Sequence, residues 1–150
     1  MRVGLISDTH GILRPEALEA LKGVDHIIHA GDIGDRVLEG LRKIAPVTAI
    51  RGNNDTGPWA NNIRETEQLE LEDIRIYVIH DLAEFDSFAD VDVVVSGHSH
   101  MPEFYTEEGI LYVNPGSAGP RRFKLPISVG FLEISGATVS ASLQELSVKR

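Results

Sequence analysis

Cysteine is absent from the 150-residue chain. Disulfides and thiolate metal sites are therefore excluded, and any bound metal must rest on oxygen and imidazole nitrogen. No apolar run approaches the roughly 18 residues that a membrane span requires. The opening MRVGLISDTHG carries a single charge ahead of Asp8, unlike a cleavable leader, so the expectation is a cytoplasmic protein without membrane contact. Positive charge is scarce too: 14 Lys and Arg stand against 23 Asp and Glu, for a net charge of −9. Non-specific binding to long polyanions depends on basic side chains that displace counterions. An extended nucleic acid is thus a disfavoured partner, whereas a small phosphate ester is not, because bound cations can reverse the local field. Repeats, linkers and low-complexity tracts are also missing. Hydrophobic residues at 42% and charged residues at 25% run along the whole length, which predicts one ordered domain over 1–150. The oligomeric state is left open.

Apolar runs and helical patterns alternate through the first half. Residues 3–6 read as a buried strand, and Pro15 suits the first turn of a helix carrying Ala17, Leu18 and Leu21 at helical spacing. Residues 25–30 form a second strand, Val37, Leu38, Leu41 and Ile44 one helix face, and 47–50 a third strand. Strands separated by helices pair in parallel. After a loop over 52–62, hairpins are expected from 68–72 with 75–79 and from 103–106 with 111–114. A short helix is expected over 82–89 and a buried strand over 91–96. The strands 128–134 and 138–145 pivot on Gly136, so the second half reads as mostly antiparallel. The predicted class is α/β: two mixed β-sheets packed face to face with helices on the outer faces, an αββα sandwich.

The chemistry-bearing residues follow strands. Asp8 and His10 come after the first strand, Asp32 after the second, Asn53 after the third, His80 after the fifth, and His98 with His100 after the sixth. Loops beyond the carboxyl ends of parallel strands gather in one crevice, where ligands bind. Asp8-Thr9-His10 and His98-Ser99-His100 place side chains two apart, which in extended backbone turns both to one side. Gly31, Gly52 and Gly97 precede Asp32, Asn53 and His98, and glycine permits close approach there. Two carboxylates, one amide oxygen and four imidazoles suit Mn first, with Fe, Zn, Ni or Co as alternatives, better than Ca or Mg. Seven ligands exceed one tetrahedral site but fit two adjacent divalent ions if one carboxylate bridges.

Asp8-x-His10, Gly31-Asp32, Gly52-Asn53, His80 and Gly97-His98-x-His100, in that order, resemble the calcineurin-like metallophosphoesterase superfamily. The short chain and Asn114-Pro115-Gly116-Ser117 resemble its small bacterial and archaeal phosphodiesterase branch, to which the Vps29 scaffold is related. The resemblance implies that Asp8, His10, Asp32 and His100 hold one ion, that Asp32 bridges to the second, and that Asn53, His80 and His98 complete it. Asp32, Asn53 and His98 form the implied catalytic set. The implied reaction is hydrolysis of a small phosphodiester by a hydroxide lying between the ions. Alternatives are a protein-interaction scaffold of the Vps29 type and a phosphomonoesterase or nucleotidase.

Two departures stand out. Relatives often carry a histidine where this chain has Asn54, which cannot supply a proton, so an acid contribution of about 100-fold to 10,000-fold is lost or falls to water. Asp55 thereby loses a histidine partner and is left to serve the turn. His80 is followed by Asp81 rather than glycine, and Asp81 reads as the cap of the next helix. His26 and His29 read as hydrogen-bonded structural histidines. Arg51, Arg121 and Arg122 read as solvated or phosphate-steadying, and Trp59 as either pocket lining or core cap.

Overall fold

Alternating burial decides which way each strand faces. Across residues 1–86 and 90–148, which the computed structural model describes, the elements run β1 (Arg2–Ile6), α1 (Pro15–Ala20), β2 (His26–His29), α2 (Val37–Arg42), β3 (Val47–Ala49), β4 (Thr66–Leu71), β5 (Ile74–Ile79), β6 (Val93–Val95), β7 (Glu103–Glu107), β8 (Ile110–Asn114), β9 (Ser128–Ser135) and β10 (Thr138–Glu145). The first sheet has the order β10-β9-β1-β2-β3. Its β1, β2 and β3 are parallel, and β9 and β10 join them antiparallel. The second has the order β4-β5-β6-β8-β7.

That second sheet differs from the antiparallel expectation. Its hairpins β4–β5 and β7–β8 are antiparallel, but β6 runs parallel to both β5 and β8. Val93, Val94 and Val95 are all fully buried, as befits a strand covered on both faces in a parallel setting. The expected helix over 82–89 is a single 3-10 turn, Leu82–Glu84, capped by Asp81 Oδ1 accepting from the Ala83 N–H at 3.1 Å. Residues 87–89 of that expectation lie outside the described residues.

Three apolar layers result. Val3, Leu5, Ile28 and Leu132 of the first sheet meet Ile76, Val78, Val93, Val95 and Val113 of the second. The alternate residues Ile6, Ile27, Val129 and Phe131 turn outward, where Ala17, Leu21, Leu38 and Leu41 of the α1 and α2 regions cover them. Gly4 makes this close: a Cβ there would lie 2.6 Å from Leu21 Cδ2. On the outer side of the second sheet, Tyr77, Val94, Ile110 and Tyr112 pack with Leu82 and Phe85. Trp59 packs against the helical layer, so it caps the core rather than lining a pocket.

Leu132 lies at the centre of the layer between the sheets and is fully buried. Leu132→Ala is expected to lower unfolding free energy by about 2–5 kcal/mol, read as a fall in the urea midpoint at constant slope. An unchanged midpoint would contradict a core shared by both sheets.

Candidate metal centre

The loops that leave β1, β2, β5 and β6 are tied to one another by their backbones. The Asp8 N–H donates to the Gly31 carbonyl at 3.0 Å, His10 to Asp32 at 2.9 Å, and Gly97 to His80 at 3.0 Å. Within them the extended backbone expected around Asp8-Thr9-His10 and His98-Ser99-His100 is not found. Asp8 (φ 54°), His10 (47°), Asp32 (53°), His98 (71°) and His100 (63°) are all left-handed. Non-glycine residues enter this region rarely, and such strain concentrates at functional sites. The side chains still converge, because each left-handed step redirects a loop that would otherwise continue outward along its strand.

Two triads form. Asp8, His10 and His100 present ligand atoms within 4.8 Å of one another, and so do Asp32, His80 and His98. Asp32 Oδ2 lies 3.2 Å from His80 Nε2 and 3.7 Å from His10 Nε2, so it touches both groups. Asp8 Oδ1 lies 3.4 Å from His100 Nε2 and 3.9 Å from His80 Nε2. Metal–ligand bonds of about 2.0–2.3 Å put two atoms on one ion at most some 4.5 Å apart, so each triad can close on a cation with small rotations. Asp8 Oδ1, His80 Nε2 and His100 Nδ1 are buried and make no hydrogen bond of acceptable geometry. Buried polar atoms are normally satisfied, and oxygen and imidazole nitrogen left bare on facing groups fit a cation. Asn53 is exposed and lines a groove of about 350 Å³ with His80 and His98.

Known proteins resemble the chain in sequence and in fold. The calcineurin-like phosphoesterase superfamily domain matches residues 1–137. The chain belongs to that superfamily. A protein of Methanocaldococcus jannaschii, described as a probable metallophosphoesterase, is 38% identical over 134 residues, covering 78% of this chain and 68% of its own. Phosphodiesterase YfcE of Escherichia coli is 29% identical across 89% of this chain and 88% of its own. Its solved structure superposes with a TM-score of 0.73 at 26% identity, covering 98% of this chain and all 100% of that one. Zinc-complexed Vps29 of Entamoeba histolytica shares the fold, with a TM-score of 0.75 at 22% identity over 97% of this chain and 99% of its own.

In this calcineurin-like phosphoesterase, a hydrolase by family, the residues around the triads were less visible in the sequence. Asp55 is buried and accepts from the backbone N–H of Ile33, Gly34 and Gly52. It locks the loops after β2 and β3 together, a wider role than the single turn expected of it. Asn54 takes both Asp32 oxygens: its backbone N–H donates to Oδ1 at 2.9 Å and its Nδ2 to Oδ2 at 3.1 Å. Ser7 Oγ and the His98 N–H both donate to Asp8 Oδ2. Asn114 Nδ2 donates to the Gly97 carbonyl and Ser99 Oγ, while its Oδ1 accepts from Gly116 N–H, so this expected turn also braces the His98 loop. Room is tight: a Cβ on Gly31 would lie 2.6 Å from His80 Nδ1, and one on Gly52 or Gly97 would collide with Asp32 or Ser7.

The bystanders fall where their residue types suggested. His29 is buried between Thr9 Oγ1 and the Gly31 N–H, and His26 bonds Thr48 Oγ1. Arg51 pairs with Glu65 at 3.5 Å on the groove wall. Arg121 donates to the Leu125 carbonyl, and Arg122 reaches the His98 carbonyl at 3.5 Å.

Electrostatics follow from burial and neighbours. Burial works to raise the Asp32 pKa, but the adjacent His80 imidazole, the hydrogen bond from the Asn54 N–H and the charge of His10 hold it well below the usual carboxylate range. Burial would lower His80, yet Asp32, the Ala30 carbonyl and Asp8 outweigh it, and its pKa rises. Burial lowers His29 from 6.5 to about 4, against the opposing pull of Asp8 and Asp55. These two histidines affect stability with opposite sign. His29 stabilises fully above 6.5, and its contribution is lost as pH falls to about 4. His80 stabilises fully below the ordinary histidine value, and its contribution is lost as pH rises through its raised pKa.

In chelator-treated protein, imidazole NMR should show His80 titrating above a free histidine and His29 near 4. Asp32→Asn should move His80 downward. Coincident titration of both at the ordinary histidine value would contradict the described burial and pairing.

Proposed function

We propose that this phosphoesterase is a metal-dependent phosphodiesterase of small phosphodiesters, cytoplasmic and acting as one domain over 1–150. In this reading Asp8, His10, Asp32 and His100 hold one divalent cation, and Asp32, Asn53, His80 and His98 hold a second. The observation that carries it is the pair of triads meeting at Asp32 Oδ2, with Asp8 Oδ1 and His80 Nε2 buried beside each other without a hydrogen bond. The mixed set of four imidazoles and two carboxylates is compatible with Mn, Fe, Zn, Ni or Co, and Mn is the first choice for the assay.

Bound there, two cations lower the pKa of an adjacent water and neutralise charge on the phosphoryl oxygens. The chain supplies position and selectivity. Ser7, the His98 N–H and Asn54 fix the carboxylates before any substrate arrives, so little reorganisation is left for the reaction itself. Asn53 and His98 sit exposed at the groove mouth and meet the substrate directly. That groove also carries Asp81 and Glu84, while its Glu65 is paired with Arg51. Carboxylates repel the second charge of a phosphomonoester more than the single charge of a diester, and this supports the diesterase reading over the monoesterase. Asn54 holds Asp32 and has no transferable proton at neutral pH, which favours esters whose departing group is stable as an anion. Among the described residues no helix is long and apolar enough to cross a membrane.

With Mn added, the native chain should hydrolyse an activated phosphodiester, and Asp32→Asn or His98→Ala should lower kcat/KM at least about 100-fold, the scale of losing one preorganised electrostatic contact. Equal rates in native and variant proteins would overturn the proposal.

A further inference from the structure

A second recess opens beside His98 and adjoins the groove that holds Asn53 and Arg51. It has a volume of about 170 Å³ and shares only Asp81 and His98 with that groove. Leu82, Tyr105 and Tyr112 give it an apolar aromatic wall. The two tyrosine rings are cross-strand neighbours on β7 and β8, stacked at 5.1 Å and 15°. Tyr112 is backed by Phe85 at 6.2 Å, edge to face. Tyr105 is 40% exposed, so part of its surface is open to a ligand. Ligand pockets typically exceed about 300 Å³, so this recess accommodates a single ring rather than a whole nucleotide.

We infer that the recess binds one uncharged aromatic ester arm of the diester, and that this arm is the leaving group. The inference deepens the phosphodiesterase reading and rests on it. Three features converge. A diester has two arms, and two clefts meet at His98. Planar rings gain about 0.5–1.5 kcal/mol beyond burial when stacked on aromatic side chains, and Tyr105 and Tyr112 present such surfaces. Among the described residues the recess is lined by the carboxylates of Asp81 and Glu103 and by no Lys or Arg, so an arm bearing a further negative charge is repelled. Burial first, then Glu103 and Glu107, raises the Tyr105 hydroxyl pKa, a sign of the same negative surroundings.

The choice of leaving arm comes from Asn54. Without a proton donor at that position, the broken phosphorus–oxygen bond must leave its electron pair on an oxygen that tolerates it, and an aryloxide does so far better than an alkoxide. Water's oxygen forms the new bond to phosphorus and the phosphorus–aryl oxygen bond breaks. One water proton stays with the monoester, and the other passes to solvent, from which the aryloxide recovers a proton.

The test compares phenyl and alkyl methyl phosphodiesters matched in leaving-group acidity, in native protein and in Tyr105→Ala and Tyr112→Leu, with Mn present. The native protein should prefer the phenyl diester about tenfold in kcat/KM, and each variant should lose most of that ratio. A binding readout runs beside it: methyl phenylphosphonate, whose ring is joined through carbon and cannot depart, should shift the Tyr105 and Tyr112 ring resonances, and methyl methylphosphonate should not. Equal turnover of matched phenyl and alkyl diesters, or a ratio unchanged in both variants, overturns the aromatic pocket while leaving the diesterase reading intact. Ring resonances unmoved by the phenylphosphonate overturn it even if turnover is absent. Hydrolysis of neither ester, with those ring shifts present, counts instead against the diesterase reading.

Discussion

Two carboxylates, Asp8 and Asp32, are buried side by side with imidazoles for company, and the surrounding structure answers to the cost of that arrangement. Ionised carboxylates are expensive to remove from water unless hydrogen-bonded and paired. Ser7 and the His98 N–H satisfy one oxygen of Asp8, and Asn54 satisfies both oxygens of Asp32. Asp8 Oδ1 is left bare. The left-handed backbone at five of the implicated residues is a further strain, held in place by loop-to-loop hydrogen bonds and by the Asp55 clamp. Such strain persists only where the surroundings over-determine it, and two packed five-stranded sheets supply that rigidity.

The same geometry explains which parts of the molecule can vary and which cannot. Gly31, Gly52 and Gly97 stand where a Cβ would strike the ligand side chains or their supports. The outer face of the second sheet is freer, and there β7 is exposed at each of its residues, Glu103–Glu107. An exposed aromatic edge thus stands beside a rigid buried centre.

Residue type alone made much of this visible. Histidine and aspartate recurring together at the ends of successive strands serve no packing need, so Asp8, Asp32, His80 and His98 stood out without any knowledge of the fold. The β1, β2 and β3 pattern was equally plain, since buried valine and isoleucine runs alternate there with helical spacing. Three things were hidden. The parallel pairing of β6 with β5 and β8 depends on crossovers between distant segments, and no local pattern distinguishes it from an antiparallel neighbour. The left-handed loops were concealed because two-residue spacing reads as extended backbone, whereas in the fold the Asp8–His10 loop is tied to Gly31 and Asp32 and the His98 loop to His80 through Gly97. Asp55 looked redundant once Asn54 replaced a histidine. Its work is to bind three backbone N–H groups from two loops, a relation that exists only after β2 and β3 have come together.

Everything functional turns on whether cations occupy the space between the triads. Anomalous diffraction from crystals grown with Mn measures that directly. Two peaks are predicted, one amid Asp8, His10 and His100 and one amid Asp32, His80 and His98, with Asp32 in contact with both. No peak at this locus, or Mn bound only elsewhere on the acidic surface, would contradict a dinuclear centre.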